Sequence, residues 1–240
     1  MRPPLNEAKC TQLLSATTQS DERVLITEDG RCTIPKVSVV RDLGVQMSAN
    51  FKTEAQCANA ARKASAALYR LRKTVASRNP EVLLPLFKAF VRPHLEYCVQ
   101  SWSPTLIKDI KTLEKVQKSF TRLFPNLRDK PYEERLKILN LFSLGRRRKR
   151  GDLIEVFKIL HGYSDSGEHM FERNSNSALR GHEWKLGKRR ARLDIRNHFF
   201  AFRVVNDWNK LPSEVVQAKS VTSFKRRLDD CWAVLFSDLC

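Results

Sequence analysis

Apolar residues recur at intervals of three and four over much of this chain, and this spacing constrains the fold more than any other feature. Between residues 54 and 77 the repeat runs through Cys57, Ala61, Ala64, Leu68, Leu71 and Val75. Such a repeat gives a helix one narrow apolar stripe, and small residues in its first half allow a neighbour to pack closely. Glycine occupies only 8 of the 240 positions. The pattern therefore predicts a mainly α protein.

Two further helices are predicted by the residues at their ends. Asn79 and Pro80 are typical of an N-cap and a first helical position, and Pro93 is expected to kink or end the helix that follows them. Thr105 is expected to cap the next helix, with Leu106 on its inward face. Both segments continue the apolar spacing, so a helical bundle is expected over residues 51–125.

The second half of the chain predicts four more helices. Pro131 opens a short one, and Ser143 precedes a long one that runs to about Leu160 and closes at Gly162. The last two are expected at about residues 197–209 and 220–235. The polar stretch 163–190, between the long helix and these last two, is predicted to be a mobile loop.

The N-terminal part follows a different pattern. Residues 1–35 contain several breakers and are expected to be irregular. Residues 37–40 and 43–47 predict two short strands joined by a tight turn. The fold class is therefore predicted as mainly α, a helical bundle and C-terminal helices with a small N-terminal β-hairpin.

The charge indicates a polyanionic partner. Lysine and arginine number 44 against 26 acidic residues, which gives a net charge of +18. RNA or DNA is the default partner for such an excess. The sequence has no apolar stretch of about 20 residues that would span a bilayer, so no membrane partner is expected. Six scattered cysteines without a C-x-x-C pattern suit free thiols in a reducing compartment, hence an intracellular protein, nuclear or cytoplasmic.

An ordered series of motifs resembles one family. Residues 86–97, followed by Trp102, Ser103 and Pro104, resemble the stretch just after the polymerase core in reverse transcriptases of non-LTR retrotransposons, the jockey-like group of LINE elements. Further resembling segments follow in the family's order, at residues 132–136, 146–154, 158–160, 179–182, 199–212 and 220–225. The resemblance spans nearly all of residues 6–232 and implies a C-terminal fragment of an RNA-directed DNA polymerase of a transposable element.

The resemblance also implies a division of the chain. Residues 1–50 would be a palm remnant with a primer-grip hairpin, in which Leu43 and Gly44 match the primer-grip turn. Residues 51–125 would be a thumb-like helical domain, and 126–240 a basic C-terminal helical region with the loop 163–190. Asn6, Lys9 and Cys10 are similar to the segment that closes the palm, and Lys9 would match a lysine proposed to protonate the pyrophosphate leaving group.

Polymerase chemistry is not expected from the chain alone. Nucleotide transfer needs carboxylates that hold two metal ions, and the family's aromatic-x-Asp-Asp turn is absent from this sequence. The one Asp-Asp pair, Asp229 and Asp230, lies on a predicted amphipathic helix and is interpreted as surface carboxylates balancing arginines. No catalytic residue, metal, cofactor or small-molecule substrate is therefore predicted.

Three functions stay open at this point. The chain could bind nucleic acid through phosphates with little sequence preference, act as an auxiliary fragment with a palm on another chain, or be a genomic relic without a selected role. The candidate nucleic-acid-binding residues are Arg62, Lys63, Arg70, Lys73, Lys111, Lys115, Lys118, Arg147, Arg148, Lys149, Lys188, Arg189 and Arg190.

The basic run 146–150 allows two interpretations. Five consecutive helical residues point all around the axis, so at least one arginine must face the core or a ligand. Structural pairing, with Glu133, Glu134 or Asp152 as partner, and phosphate contact both stay open. Among the tryptophans, Trp184 is the expected exposed aromatic, and His182 is expected at the surface.

Overall fold

The fold is that of a computed structural model in which five stretches of the chain are described. They are residues 10–14, 23–27, 30–164, 167–174 and 181–235. Helices dominate these stretches and the strands are short, so the predicted mainly α class with a small N-terminal β-hairpin is confirmed. Asn6 and Lys9 of the palm-like segment, and residues 179–180 of the family series, lie outside the described residues.

The described parts of residues 10–37 form two small sheets. Strand β1 (Gln12–Leu13) pairs in parallel with β4 (Lys36–Val37), and β2 (Val24–Thr27) pairs antiparallel with β3 (Gly30–Thr33). The prediction of irregular structure over residues 1–35 is therefore wrong for these stretches. Of the predicted breakers in these stretches, Gly30 is the first residue of β3 and Pro35 lies between β3 and β4, so neither interrupts a ladder.

The predicted hairpin is formed by β5 (Val39–Asp42) and β6 (Val45–Ser48). Its two-residue turn is Leu43 and Gly44, with φ of 44° and 86°. Positive φ at both positions matches the twist of the strands, and glycine adopts it without strain. The second strand therefore begins at Val45, two residues later than the sequence pattern suggested.

The first helix packs against this hairpin and against most of the N-terminal half of the chain. α1 (Glu54–Thr74) buries the predicted stripe and lies against α5 (Ile107–Thr121). Its Gln56 side chain accepts a hydrogen bond from the Gln46 amide of β6 at 2.9 Å, and Val45 is buried beside it. The hairpin therefore has cover on one side from α1.

Pro93 does not end its helix. α2 (Pro80–Leu86) begins as predicted, because the Asn79 side chain accepts a hydrogen bond from the Glu81 amide at 2.9 Å. It continues through a π-helical turn, Phe87–Val91, into α3 (Arg92–Glu96). Pro93 thus lies in the first turn after the π-helical segment, and the expected kink at this residue stays a prediction.

The cap of α5 differs from the prediction. After the short α4 (Val99–Trp102), the helix begins at Ile107, its N-cap is Leu106, and no side chain caps it. Thr105 is not the cap and Leu106 is exposed rather than inward. The start of α5 is set by the burial of Asp109 and Leu113 against α1 and not by a polar cap.

The second half contains the predicted helices and two short ones. α6 (Tyr132–Ile138) begins after Pro131, and α7 (Leu144–Leu160) begins at Ser143, whose hydroxyl accepts from the Arg146 amide at 3.2 Å. Gly162 closes α7 with φ of 71°. The remaining helices are α8 (Asp194–Asn197), α9 (Phe200–Asn209), α10 (Ser213–Val216) and α11 (Val221–Leu235).

Two hydrophobic clusters meet within α7. The first extends from Val45 to Leu144 and the second from Leu153 to Trp232. α7 thus contributes its first residue to one cluster and its second half to the other. The three-part division at residues 50 and 125 stays a prediction. Within the described stretches, the chain has no helix both long and apolar enough to cross a membrane.

The polar segment 163–190 contacts α9 through Leu186, and its interpretation as a mobile loop stays a prediction. Arg173 and Leu186 form an antiparallel bridge. The Asn209 side chain accepts from the Leu186 amide at 2.8 Å and donates to the Leu186 carbonyl at 2.9 Å. One amide side chain thus satisfies both backbone groups of a buried residue, which the composition of the segment does not reveal.

The two clusters are linked by a buried ion pair. Arg203 of α9 donates to both carboxylate oxygens of Asp152 of α7, at 2.9 and 3.0 Å. It also donates to the backbone carbonyl of Gln100 in α4, which lies on the side of the first cluster, at 3.0 Å. The side chains of Arg203 and Asp152 are only 16% and 8% exposed. Burial raises the pKa of the Asp152 carboxyl, and the charge and hydrogen bonds of Arg203 oppose that shift.

Replacing Arg203 by Met should lower the free energy of unfolding by about 3–5 kcal/mol, because a buried carboxylate loses its partner. Urea denaturation followed by circular dichroism measures this. Arg226→Met on the exposed side of α11 is the control and should change stability by no more than about 0.5 kcal/mol. Equal stability of the two variants would show that Asp152 does not depend on Arg203.

Candidate nucleic-acid interface

Three of the predicted basic residues line one groove. Lys188, Arg189 and Arg190 lie beside α9 around a cavity of about 370 Å³. Asn197 and Asn206 contribute amide side chains to the same lining. Cationic and amide groups along one depression are the donors that phosphate and sugar oxygens accept from.

The three cations differ in their availability. Arg189 forms an exposed ion pair with Glu172. Lys188 and Arg190 are exposed, and no ion pair engages either of them among the described residues. These two positive charges can therefore meet a polyanion without first giving up a carboxylate.

A second set of predicted cations lies on the outer sides of α1 and α5. The two helices begin side by side, since Glu54 at the start of one pairs with Lys108 at the start of the other at 2.8 Å. All but Lys63, which is half-buried, are exposed, and all lie opposite the buried stripes. The set comprises Arg62, Lys63, Arg70, Lys73, Lys111, Lys115 and Lys118.

Some of these cations already have local contacts. Arg62 donates to the Asn59 side chain at 3.0 Å, and Lys73 lies 5.8 Å from the centre of the Tyr69 ring. Lys118 lies 4.9 Å from the centre of the Tyr132 ring. These are weak surface contacts that a phosphate could replace. This surface is therefore basic and open to solvent.

The arginine run 146–150 is mainly structural. Arg147 makes a two-pronged ion pair with Glu96 of α3, and Arg150 makes one with Asp229 of α11 at 2.6 and 2.8 Å. The partners are therefore neither Glu133 nor Glu134. Two-pronged pairs of this kind are specific in geometry and hold α7 to both neighbours. Arg147 is corrected from a phosphate contact to a link between helices.

The other members of the run divide between core and surface. Arg148 is only 5% exposed, so its expected role as an outward phosphate contact is also corrected. Arg146 lies over the rings of Phe142 and Trp232, at 4.3 and 5.5 Å from their centres. Lys149 alone keeps its head group exposed, 3.6 Å from the Asp207 carboxylate.

The primer-grip-like turn is held by an aromatic side chain. The Tyr97 hydroxyl donates to the Leu43 carbonyl at 3.0 Å, and a β-carbon on Gly44 would lie 3.4 Å from the Tyr97 ring. The turn is therefore attached to the end of α3. The Leu43 side chain points outward and is 84% exposed.

The expected exposed tryptophan is not free. One face of Trp184 stacks on His161 with ring centres 4.3 Å apart, and the Arg173 guanidinium lies 3.8 Å from its ring centre. His161 in turn stacks on Phe157 at 4.0 Å. Trp184 is half-buried in this column, which leaves no open ring face for a base. Sequence spacing could not reveal it, since the four residues come from distant positions.

His182 is also buried, contrary to the prediction. Its Nε2 lies 3.1 Å from the Trp208 carbonyl, so this nitrogen carries the donated proton. Burial lowers the pKa of His182 below its usual value. The imidazole is thus a core residue beside the fully buried Trp208, and only its Nε2 has a hydrogen-bond partner among the described residues.

The carboxylates offer no metal site in the described stretches. Asp229 pairs with Arg150, which confirms its interpretation as a carboxylate that balances an arginine. No group of three or more histidine, cysteine, aspartate or glutamate side chains there could hold a metal ion. Cys57 is buried in the first cluster, and burial raises the pKa of its thiol to about 12.

Comparisons of the chain with protein-family models, with curated proteins and with solved structures give no match. The geometry of the groove and of the basic helices is therefore the basis on which a function is argued.

The aromatic column makes stability depend on pH. Burial lowers the pKa of His161, and the charge of Arg173 lowers it further. Below about pH 6.5 the His161 imidazole therefore takes up a proton more readily in the unfolded chain than in the folded chain. The free energy of unfolding should consequently fall as the pH drops from about 7 to about 5. His161→Gln should reduce this fall in thermal unfolding experiments.

The matched control is His94→Gln, since His94 is exposed on α3. The control should show the same fall as the natural sequence. An unchanged fall in His161→Gln would assign the pH dependence to other groups, His182 among them.

Proposed function

We propose that this chain is a nucleic-acid-binding fragment derived from the thumb and C-terminal region of a non-LTR retrotransposon reverse transcriptase. The observation that carries the binding proposal is the groove in which Lys188 and Arg190 are exposed beside two asparagines, with no carboxylate partner in the described stretches of the chain. The net charge of +18 supports it. The family assignment rests on the ordered series of motifs from residue 86 to residue 225.

Recognition would be by phosphate and not by base. The groove presents charged and amide donors, and the tryptophans whose surroundings are described have their rings in the core or in a stack. In the groove lining the aromatic residue is Phe202, whose ring centre already lies 5.5 Å from the Arg196 guanidinium, so stacking on unpaired bases is expected to contribute little there. The proposed ligand is therefore an RNA or DNA backbone, bound with weak sequence preference.

An auxiliary role beside a polymerase palm on another chain is the second candidate. The hairpin β5–β6 favours it, because α1 covers this two-stranded sheet on one side and the outer edge of β5 has no strand partner among the described residues. A strand from another chain could extend such an edge. This role would place Leu43 and Gly44 near a primer end.

Binding should fall steeply with salt. Log affinity for a duplex should decrease linearly with log salt, with a slope of about −0.9 for each phosphate neutralised. Lys188→Gln with Arg190→Gln should make the slope shallower by about two phosphates, measured by fluorescence anisotropy with an RNA and a DNA duplex.

The matched control is Lys219→Gln with Lys225→Gln, which removes two exposed positive charges outside the groove. The control should change the slope less than the groove variant. Equal slopes in the two double variants would argue against the groove and in favour of diffuse attraction by the net charge.

Primer extension should fail with the chain alone. With Mg²⁺ or Mn²⁺, a primed template and nucleoside triphosphates, we expect no product above a heat-denatured control, because two-metal chemistry needs a carboxylate cluster. Product that disappears on Asp229→Ala with Asp230→Ala would overturn this expectation. That variant also breaks the Arg150 pair, so its folding is checked by circular dichroism.

A further inference from the structure

A second cavity, between α5, α7 and α9, contains a buried arginine without a partner. It measures about 250 Å³, and its lining includes Ser103, Arg148, Asp152, Arg203 and Asp207. The Arg148 side chain is buried, and no hydrogen bond or ion pair engages it within the described part of the chain. Its Nη1 is shielded from solvent and lacks a hydrogen-bond partner.

The carboxylates around Arg148 are already engaged. Asp152 accepts both of its ion-pair hydrogen bonds from Arg203, and Glu96 is held by Arg147. Glu114 accepts from the Tyr132 hydroxyl and from the Leu144 amide at the start of α7. These groups give Arg148 a negative field but no hydrogen bond.

Arg148 cannot remove its buried positive charge by losing a proton. Burial lowers the pKa of Arg148, yet a guanidinium stays protonated in proteins. A buried charge needs a paired and hydrogen-bonded partner. The other charges of the lining pair among themselves, since Arg203 engages Asp152 and Lys149 lies 3.6 Å from Asp207. One positive charge is left over, that of Arg148, which is among the residues that line the cavity.

We infer that this cavity binds a phosphate-type oxyanion against Arg148. The planar guanidinium offers two parallel donors, which match the oxygens of a phosphate. Ser103 adds a hydroxyl to the lining, and Lys149, whose side chain is 54% exposed, stands where the cavity meets solvent. The ligand is a free phosphate or a terminal phosphate monoester. The inference does not depend on the groove at Lys188 and Arg190.

The test is thermal unfolding in phosphate and in chloride at equal ionic strength. Phosphate should raise the Tm of the natural sequence saturably, as expected for a ligand of the folded state. Arg148→Met should abolish this rise while folding at least as well in chloride, because an apolar side chain replaces an unpaired charge. Arg226→Met, which removes an exposed arginine of α11, should retain the rise.

A direct measurement completes the test. Isothermal calorimetry with inorganic phosphate should show one site in the natural sequence, weakened about 10- to 100-fold in Arg148→Met. If that variant does not fold, Arg148→Lys keeps the charge but loses the fork and should bind about tenfold more weakly. No calorimetric binding to the natural sequence, or unchanged affinity in both variants, would overturn the inference.

Two further arms identify the source of the phosphate. A 5′-phosphorylated trinucleotide that binds more tightly than its 5′-hydroxyl form, with the preference lost in Arg148→Met, would assign the site to a strand end. Inorganic phosphate binding without that preference would assign it to the free anion. Lys188→Gln with Arg190→Gln should leave phosphate binding unchanged, so failure of the groove proposal and failure of this inference are distinguishable.

Discussion

The structure depends on α7 being shared by two hydrophobic clusters. Its first residue, Leu144, closes the first cluster, while Leu153 and Phe157 belong to the second. Between these residues, α7 carries mainly charged side chains, and most of them contact other helices of the protein. Arg147 reaches Glu96, Arg150 reaches Asp229, and Asp152 receives Arg203. Buried or half-buried ion pairs of this kind contribute little net stability. They nevertheless specify one arrangement of the helices, because any other arrangement would leave a buried charge without a partner. The arginine run thus fixes how the clusters meet.

This arrangement changes how the high positive charge is interpreted. The sequence offers thirteen candidate cations, and three of them belong to the run 146–150, the densest group of basic residues in the chain. Three of its arginines are nevertheless committed to carboxylates or to the interior, and a fourth lies on aromatic rings. The available charge lies elsewhere, on the outer sides of α1 and α5 and in the groove of Lys188 and Arg190. The density of basic residues in a sequence therefore gives the number of cations, but not how many of them are available to bind a polyanion.

Much of the helical fold could be predicted because its signals are local. The stripe of α1, the Asn79 cap, the start of α7 at Ser143 and its end at Gly162 each depend on residues within a few positions of one another. The failures involve contacts between distant residues. Asn209 holds Leu186 in the segment before α9, and the column of Trp184 on His161 assembles residues 23 positions apart. Which residues pair with the charged and aromatic side chains depends on how the helices and loops pack in the fold. The periodicity of apolar residues in the sequence does not determine that packing.

The hairpin at residues 39–48 shows how a small sheet can persist beside a helical bundle. An isolated two-stranded sheet is marginal in water. Here Val45 is buried against α1, the Gln46 amide finds Gln56, and the Tyr97 hydroxyl holds the Leu43 carbonyl. Within the described residues, the outer edge of β5 has no strand partner and Leu43 is exposed. The same tyrosine is the last residue of the stretch 86–97, whose sequence resembles the retrotransposon family. Because these contacts join the turn to the bundle, a partner that engages the turn would also be positioned relative to the basic faces of α1 and α5.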